Sequence, residues 1–324
     1  MLRLFHAIAS ITGMSRPALH VLWIGVSVLA ACSSSGGSSI EPIYAQDVHE
    51  GTVIMKQVSA GRNFTCLLKV DNTVMCWGDA QAGQCSPPGG TFLKVVAAWD
   101  YACGIRTDGT LACWGDNSRG QLLVPAGTFT DLAVGKYTAC ALQVGGAITC
   151  WGSGLGGEIS PPAGEFTQIA AGNIHACALR ADGSVACWSS ALSNFVGTPP
   201  ADSFVSISAG GDRACGLRFD RTRSCWGDNQ GTAPALEPLA PLLQVDVGGD
   251  HTCYLQADST VLCLGNSCYG QNSDGQQFLS CTPGKETFTS LSAGFSHTCG
   301  LHGDGKVACW AGVANNTYGE LSPP

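Results

Sequence analysis

The 324-residue sequence has few charged residues, no excess of basic residues and no apolar run long enough to cross a membrane as a helix. Asp, Glu, Lys and Arg make up 12% of the chain, about half of the usual share of roughly 25%. The formal net charge of −8 provides no positive field for phosphate groups, which argues against nucleic acid as a partner. The apolar run at residues 21–30 has about half of the roughly twenty residues that a spanning helix needs.

Catalytic and metal-binding motifs are also missing. The sequence contains no Ser-His-Asp signature, no phosphate-binding loop and no paired-carboxylate motif. Its paired cysteines are more widely spaced than the first ligands of a typical zinc site. Residues 272–275 resemble a calcium loop but lack its spaced carboxylates and closing Glu. We therefore expect neither an enzyme nor a metal or other cofactor.

The N-terminal region predicts export. Its apolar run follows Arg3 and Arg16, which is typical of a secretory signal peptide, and Met14 is an alternative translation start. The run ends in Leu-Ala-Ala-Cys32, which resembles the bacterial lipobox, where the chain is cut before Cys and the thiol is acylated. The alternative is an ordinary cleaved signal that leaves Cys32 without a role. Both predict a secreted chain in a compartment where disulfides persist.

These features set the predicted domain boundaries. Residues 1–31 are predicted to be a lipoprotein signal peptide, with lipidation at Cys32, and residues 32–50 a flexible tether rich in Ser and Gly. Residues 51–324 are predicted to form the folded domain. We expect the mature chain to be lipid-anchored to the bacterial cell envelope, at the outer membrane or cell surface, with no other membrane contact.

The folded domain is dominated by a cysteine repeat. Fourteen of the 18 cysteines lie in seven pairs whose members are ten positions apart, and successive first cysteines are separated by 37, 37, 37, 38, 38 and 46 residues. One unit therefore recurs seven times. A Trp follows the second Cys in six units and is interpreted as core between units. The pairs are Cys66 and Cys76, Cys103 and Cys113, Cys140 and Cys150, Cys177 and Cys187, Cys215 and Cys225, Cys253 and Cys263, and Cys299 and Cys309.

Each cysteine pair encloses a predicted β-hairpin. The clearest turns are Asp-Gly pairs between alternating apolar residues, as at Asp182-Gly183. A three-residue loop with Gly183 in the left-handed conformation places Cys177 opposite Cys187, whereas a two-residue loop would turn their side chains to opposite faces. Facing Cβ atoms lie about 4.5–5.5 Å apart, so a modest adjustment reaches disulfide geometry. The pairing is thus a prediction of strand register as well as of oxidation.

The repeat also predicts the fold class. Another apolar segment precedes each hairpin and a Gly- and Pro-rich connection follows it, which suggests about four short strands per unit. Such a unit fits one propeller blade. A solenoid is the alternative for any repeat, but no unit has a helical period. We predict an all-β, seven-bladed β-propeller with one cross-strand disulfide hairpin per blade, closed by strands from both ends of the chain.

Two segments carry a family resemblance. Residues 170–188 and 114–122 combine Ala-Gly, Asp-Gly, Trp-Gly and Gly-Gln elements at fixed spacing. They resemble the repeat of the regulator of chromosome condensation family, whose members form seven-bladed propellers. The resemblance covers about residues 54–324 and is greatest to bacterial exported members, which include propellers that inhibit β-lactamases by docking on them.

The resemblance implies that the partner is another protein, and a β-lactamase or a related peptidoglycan enzyme is one candidate. It does not imply the nucleotide-exchange activity of the nuclear member, because an exported lipoprotein would not meet the partners of that activity. The paired cysteines depart from the family pattern. So does the loss of the Asp-Gly turn at Asp220-Arg221 and at Asp258-Ser259.

A candidate binding rim lies between the recurring Gly and the first Cys of each unit. Repetition places these seven segments on one rim, and they are rich in aromatic residues, Arg and Asp, of which aromatic residues and Arg are enriched at binding hot spots. His175, His251 and His297 in the same segments are interpreted as structural residues, with partner contact as the alternative. The predicted partner-binding residues are Arg62, Phe64, Trp99, Asp100, Tyr101, Lys136, Tyr137, Asp212, Arg213, Asp250 and Phe295.

Two features lie outside the repeat pattern. The insertion in the sixth unit contains Cys268 and Cys281, which are predicted to form a disulfide. It is either a constrained binding loop or a tolerated surface loop. Cys85 has no predicted disulfide partner, which leaves a buried thiol, an intermolecular link or an oxidation-prone site.

Three function classes remain open on these grounds. The leading interpretation is a non-enzymatic scaffold that binds another protein through one propeller rim. The alternative is a carbohydrate- or cell-wall-binding propeller that uses Trp99, Tyr101 and Tyr137 as stacking platforms. An enzyme is the third class, and it would need convergent polar groups in the central channel.

Overall fold

The computed structural model describes residues 43–44, 55–153, 160–189, 198–227, 241–265, 270–271, 277–278, 283, 285–311 and 321–323. The predicted signal peptide, the predicted lipidation at Cys32 and the predicted bridge between Cys268 and Cys281 lie outside the described residues. Within those ranges, no helix combines the length and the apolar character needed to cross a bilayer.

The described strands form seven antiparallel blades of three strands, in agreement with the predicted propeller. In the first four blades the strands are β2 (Met55–Ala60), β3 (Phe64–Lys69) and β4 (Val74–Gly78); β5 (Phe92–Ala97), β6 (Tyr101–Arg106) and β7 (Leu111–Gly115); β8 (Phe129–Val134), β9 (Thr138–Gln143) and β10 (Ile148–Gly152); and β11 (Gln168–Ala171), β12 (His175–Leu179) and β13 (Val185–Ser189). In the last three blades they are β14 (Phe204–Gly210), β15 (Arg213–Arg218) and β16 (Arg223–Gly227); β17 (Leu242–Val247), β18 (His251–Gln256) and β19 (Val261–Gly265); and β22 (Ser290–Ala293), β23 (His297–Leu301) and β24 (Val307–Ala311). Two strands of two residues, β20 (Gly270–Gln271) and β21 (Gln277–Phe278), pair within the sixth-unit insertion.

The predicted register is confirmed in every blade. Each pair of cysteines faces across the second and third strands, as Cys177 faces Cys187. All seven pairs form disulfides, with Cα atoms 4.0 to 4.1 Å apart. Each bridge therefore fixes the pairing of one hairpin, because a slip of one residue would separate the two sulfurs.

The hairpin turns have the predicted three-residue loop. In the fourth blade the Arg180 N–H donates to the Ser184 carbonyl at 2.9 Å, and the Gly183 N–H donates to the Arg180 carbonyl at 3.0 Å. Gly183 has φ of 85°, the left-handed conformation that the loop requires. Asn72, Arg221 and Ser259 take the same conformation, with φ of 67°, 67° and 68°, in the blades that lack this Gly. These three turns therefore keep the left-handed conformation although they lack Gly.

The expectation of about four strands per unit is wrong for the first two blades, whose outer connections are fully described. Residues 79–91 and 116–128 form turns and bends rather than a fourth strand. Gln84 and Gln121 stabilise these turns, since their side-chain oxygens accept the N–H groups of Ala82 and Arg119 at 2.8 and 2.7 Å. Pro residues in both connections cannot donate to a strand ladder.

Aromatic residues fill the space between neighbouring blades. Trp114, for example, is 5% exposed and packs with residues of the first blade, and its indole N–H donates to the Gln84 carbonyl at 3.0 Å. This confirms that the Trp after the second Cys belongs to the core between units. A large apolar residue also begins the first strand of blades two, three, five and six, and Phe166 and Phe288 hold the equivalent position in blades four and seven. Full burial of one such side chain contributes about 1.5–3 kcal/mol.

A repeated backbone bond links each blade to the next on the side of the hairpin turns. The third residue of each turn accepts a hydrogen bond from the residue that begins or precedes the next first strand, as Gly183 accepts the N–H of Phe204 at 2.9 Å. The seventh bond closes the ring, with Met55 donating to Gly305 at 3.4 Å. Ser292 Oγ also accepts the N–H of Ala60 at 2.9 Å across the same interface.

The two ends of the chain meet in the last blade, as expected. Strand β1 (Ile43–Tyr44) pairs antiparallel with β24 and makes a four-stranded sheet, with Ile43 opposite Cys309. This strand lies within the range predicted to be a tether. The folded domain therefore includes residues before the predicted boundary at residue 51.

Cys85 is a buried thiol, one of the three alternatives considered for it. It is 9% exposed, is not part of a disulfide and packs in the hydrophobic core between the first two blades. Its Sγ donates to the Asp79 carbonyl at 3.1 Å. In the next unit Leu122 follows the Gly-Gln pair in the same way, so Cys85 fills a position that is apolar there.

Candidate functional site

The loops between the first and second strands of the blades lie at one end of the ring, which we call the upper rim. They comprise residues 61–63, 98–100, 135–137, 172–174, 211–212, 248–250 and 294–296. Backbone bonds join neighbouring loops, as when Arg62 N–H donates to the Ala98 carbonyl and Phe295 N–H donates to the Gly61 carbonyl, both at 3.0 Å. A Cβ on Gly135 would lie 2.4 Å from the Gly172 carbonyl oxygen. Gly135 therefore permits the close approach of its loop to the next one, although the second blade has Ala98 at the equivalent position.

Four upper-rim residues from four other blades converge on the indole of Trp99, and with Trp99 they form what we call the Trp99 cluster. The Arg62 guanidinium lies 4.8 Å and the Lys136 ammonium 3.8 Å from the ring centroid. Phe295 packs its ring against the indole with centroids 4.9 Å apart, and Trp99 Nε1 donates to Asn173 Oδ1 at 2.9 Å. Because these contacts come from the first, third, fourth and seventh blades, Trp99 lies across the mouth of the central channel.

A second aromatic residue extends this cluster outward. The ring of Tyr137 has the Lys136 ammonium 4.9 Å and the Arg119 guanidinium 5.4 Å from its centroid. Arg119 is exposed, and Lys136 and Tyr137 are partly exposed. Cations within about 6 Å of an aromatic centroid are attracted to the ring, by about 0.5–1 kcal/mol where the pair is exposed.

Three of the predicted partner-binding residues are buried, and the prediction of partner contact is corrected for them. Phe64 and Tyr101 have no exposed surface, and Arg213 is 3% exposed. Each lies two residues before the first Cys of its blade, where the second strand begins and the side chain turns into the space between blades. All seven residues at this position are buried, at 9% exposure or less. The position therefore belongs to the core.

The other eight predicted residues lie on the upper rim and are partly exposed: Arg62, Trp99, Asp100, Lys136, Tyr137, Asp212, Asp250 and Phe295. The structure brings Arg62, Trp99, Lys136 and Phe295 together, and Asp100 forms an ion pair with Arg62 at 3.6 Å. Asp212 and Asp250 lie on the fifth and sixth blades, apart from this group. Their role as partner contacts stays a prediction.

Asn173 is a member of the cluster that the sequence analysis did not select. Its loop position, directly after the recurring Gly, is the one that Arg62, Lys136 and Phe295 occupy in their blades. Alignment of the seven units by this Gly was the signal that could have found it.

The histidines of the rim segments have the structural role that was expected. His297 Nε2 lies 2.8 Å from Thr65 Oγ1, and His251 Nε2 lies 2.7 Å from Thr298 Oγ1, so each joins its blade to the next. Burial lowers the pKa of His175 to about 4. Burial and the nearby His251 lower the pKa of His297 to about 3. These two imidazoles are therefore neutral at pH 7.

Polar side chains of the first strands line the central channel, which has a volume of about 450 Å³. Most of them bind the backbone of the next blade. The Gln57 side chain donates to the Val95 carbonyl at 2.7 Å and accepts the Val95 N–H at 3.1 Å. Gln168 does the same with the carbonyl and N–H of Ile207, both at 3.0 Å. Lys94 instead forms an ion pair with Asp131. These polar channel residues were not predicted from the sequence, although several of them lie two positions after the recurring Phe.

Two carboxylates, Asp246 in the channel and Asp100 on the upper rim, have raised pKa values. Burial deep in the ring raises the pKa of Asp246 to about 6, although it accepts the Ala293 N–H at 2.7 Å and the Ser208 hydroxyl at 2.8 Å. Asp246 keeps part of its surface open to the channel. Burial also raises the pKa of Asp100, an effect that Arg62 and Lys136 oppose only in part.

The channel is thus polar, which is the arrangement that the enzyme alternative required. However, Gln57, Gln168 and Gln244 direct their polar atoms at the neighbouring blade, which leaves them occupied in holding the ring together. Among the described residues, no three His, Cys, Asp or Glu side chains are grouped as metal ligands would be.

Comparison with known proteins supports this architecture. The family model described as "Regulator of chromosome condensation (RCC1) repeat" matches residues 55–84, 92–121, 166–194 and 288–320. No curated protein sequence matches the chain.

Several solved structures have the same fold. The CRINKLY WD40 ectodomain of the Arabidopsis thaliana receptor kinase ACR4 has a TM-score of 0.66 and 25% identity, over 80% of this chain and 96% of that one. The ectodomain of the Physcomitrella patens receptor kinase CR4 has a TM-score of 0.67 and 24% identity, over 80% and 74%. Prp20p from Saccharomyces cerevisiae has a TM-score of 0.63 and 14% identity, over 82% and 84%. Four segments of the chain therefore match the RCC1 repeat, and its propeller is similar in fold to that of Prp20p.

Proposed function

We propose that this protein is a non-enzymatic, cell-surface lipoprotein that binds another protein through its upper rim. The convergence of residues from four other blades on Trp99 carries the proposal. Lys136 and Arg62 lie over its ring, and Phe295 and Asn173 hold its edge. A large aromatic residue held by its neighbours loses little side-chain freedom on binding, which is the property that enriches Trp at binding hot spots.

Differences in sequence among the blades also support the upper rim as the binding surface. The loop positions after the recurring Gly carry different side chains in different units, whereas the core positions repeat from blade to blade. A scaffold needs repeated positions to hold its shape, and a binding surface needs distinct ones to recognise a partner.

Relatives with this fold bind proteins. The yeast Prp20p structure is described together with its binding to Gsp1p and histones, and another structure shows Kap60 bound to yeast RCC1. The plant structure at 25% identity is an ectodomain, which supports an extracellular setting for a propeller of this kind. For the present chain, a β-lactamase or a related peptidoglycan enzyme is the candidate partner.

Anchoring to the envelope is supported by the N-terminal sequence and by the bridges. The Leu-Ala-Ala-Cys32 segment follows a signal-like apolar run, and seven disulfides require an oxidising compartment to persist. Labelling of cells with radioactive palmitate tests this part of the proposal. We expect incorporation into the wild-type chain and none into Cys32→Ser, and equal labelling of both would overturn the lipid anchor.

Site-specific cross-linking tests the binding role. A photo-reactive amino acid replaces Trp99 on the upper rim or, as a control, Phe219, an 89% exposed residue in a hairpin turn at the opposite end of the ring. We expect a discrete cross-linked protein from position 99 and none from position 219 in intact cells. The same products from both positions, or none from position 99, would refute the proposal. Titration of the mature chain against purified β-lactamases and peptidoglycan enzymes then tests the partner class, and absence of binding at about micromolar concentration removes it.

The carbohydrate alternative has less support. Tyr101, one of its three stacking residues, is fully buried. Arg62 and Lys136 also lie over the ring of Trp99, where a sugar would have to stack. Arg119 and Lys136 lie over the ring of Tyr137 in the same way. A glycan array distinguishes the two functions.

A further inference from the structure

Lys136 and Arg119 are two cations on the upper rim without carboxylate partners. Among the described residues, neither forms an ion pair or a hydrogen bond through its charged group, and the close contacts of both groups are with aromatic rings. Arg62, by comparison, has Asp100 at 3.6 Å. Each ammonium or guanidinium group therefore keeps N–H donors that no described protein acceptor satisfies.

The ring of Tyr137 is in contact with both cations. Their charged groups lie 4.9 and 5.4 Å from its centroid, so both can contact an acidic segment that lies along this ring. Lys136 is also fixed by Trp99, 3.8 Å from its ammonium. Pre-positioned cations lose less side-chain freedom on binding than free surface cations do.

Nearby carboxylates are engaged elsewhere. Asp116 accepts the Ser118 hydroxyl at 2.8 Å and the Gln121 side-chain amide at 3.0 Å, and Asp100 pairs with Arg62. Neither shares a hydrogen bond or an ion pair with Arg119 or Lys136 within the described part of the chain. Within the described residues, therefore, no carboxylate satisfies these two cations, and an acidic ligand could do so.

We infer that the protein partner presents an acidic segment, and that a carboxylate of this segment binds between Lys136 and Arg119 against the ring of Tyr137. The inference rests on the proposed function and specifies the chemistry of its partner. Charge-assisted hydrogen bonds from both cations would orient the segment. The Trp99 cluster beside it would supply the apolar contact that such a carboxylate lacks.

A short fluorescent peptide of alternating Glu and Gly tests this inference with the mature chain. We expect saturable binding at low salt that weakens as salt is added, and no binding of the matching Lys-Gly peptide. The double variant Arg119→Gln with Lys136→Gln should weaken binding of the Glu peptide by about tenfold or more, as expected from the loss of two charge-assisted contacts.

A matched control uses two cations at the opposite end of the ring. Arg106 and Arg180 lie 5.1 and 4.8 Å from the ring centroids of Phe92 and Phe166, so the double variant Arg106→Gln with Arg180→Gln makes the same change in net charge. We expect it to bind the Glu peptide as the wild type does. Equal weakening in both double variants, or no saturable binding below about 1 mM, would overturn the inference. If position 99 still cross-links a partner in that case, the proposed function stands and only the acidic character of the partner is wrong.

Discussion

The two ends of the propeller use the same repeat in opposite ways. At the end with the hairpin turns, which we call the lower rim, an Asp in six of the seven turns accepts the backbone N–H two residues further on, as Asp182 does from Ser184 at 2.9 Å. At the upper rim, the loop positions after the recurring Gly or Ala carry Arg, Trp, Lys, Asn or Phe in five blades and Gly in the fifth and sixth. Repetition thus marks the end that holds the ring together, and variation marks the end that is available for recognition.

Loss of a core tryptophan should have the largest effect and separate core from rim. We expect Trp114→Ala to lower the free energy of unfolding by about 3–5 kcal/mol, because it leaves a cavity between two blades. Trp99→Ala, the matched change on the upper rim, should cost about 1 kcal/mol, since only cation and edge contacts are lost. Urea unfolding of both variants measures the difference, and equal losses would show that the rim also supports the fold.

Removal of one disulfide should have the next largest effect. In Cys177→Ala with Cys187→Ala, the unfolded chain regains the freedom that the bridge removed, which should lower the free energy of unfolding by about 2–3 kcal/mol. Guanidinium unfolding under oxidising conditions gives the value. Because this disulfide lies in the scaffold, cross-linking from position 99 should be unchanged. Loss of the cross-linked product in this variant would show that the hairpin and the upper rim are coupled.

Acid should lower the free energy of unfolding of the propeller in a defined range of pH. The folded-state pKa values of His175 and His297, about 4 and 3, lie below the ordinary value. The unfolded chain therefore takes up these protons first, and stability should fall as the pH drops from about 6.5 towards 3, by up to about 1.4 kcal/mol per pH unit for each proton.

Asp246 acts in the opposite direction in part of this range. Its folded-state pKa of about 6 lies above the ordinary value, so the folded protein binds this proton first between about pH 6 and 4. Asp246→Asn should therefore make the fall in stability steeper. Thermal unfolding at a series of pH values measures both slopes. A melting temperature that stays constant from pH 7 to 4 would contradict the assignment of the buried histidines.

The smallest effect is expected in the turns of the lower rim. Arg221 has φ of 67°, a conformation that is unfavourable for a residue with a Cβ, whereas Gly183 takes the equivalent position with φ of 85°. Arg221→Gly should raise the free energy of unfolding by about 0.5–1 kcal/mol, and Gly183→Ala should lower it by about 1 kcal/mol. Chemical unfolding distinguishes them, and changes of the same sign in both would show that turn conformation is not the cause.

The sequence predicted features that the repeat determines. Ten residues between cysteines and a three-residue turn fix the pairing of Cys177 with Cys187, and seven units of similar length fix the number of blades. The fourth strand was overestimated because turns held by Gln84 and Gln121 also contain apolar residues and occupy a strand-length segment. The local sequence pattern alone does not distinguish such a turn from a strand.

The site was predicted less completely, because neighbouring residues in a loop turn to different surfaces. Trp99 lies over the channel mouth, whereas Tyr101, two residues later, is buried between blades. Both are aromatic and both lie between Ala98, which replaces the recurring Gly in this unit, and Cys103, so composition does not separate them. The hydrogen bond between Trp99 and Asn173 joins residues that are 74 positions apart, and only the curved arrangement of the blades in the folded ring brings them together.

The bond from each hairpin turn to the following blade is the same at all seven interfaces, including the one between the last blade and the first. The interface between the last blade and the first therefore carries the same bond as the other six. The closed ring does not depend on which loop contains the chain ends. A circular permutant that joins the ends near β1 and β24 and opens the exposed turn at Ser118 would keep all seven interfaces and should fold to the same propeller.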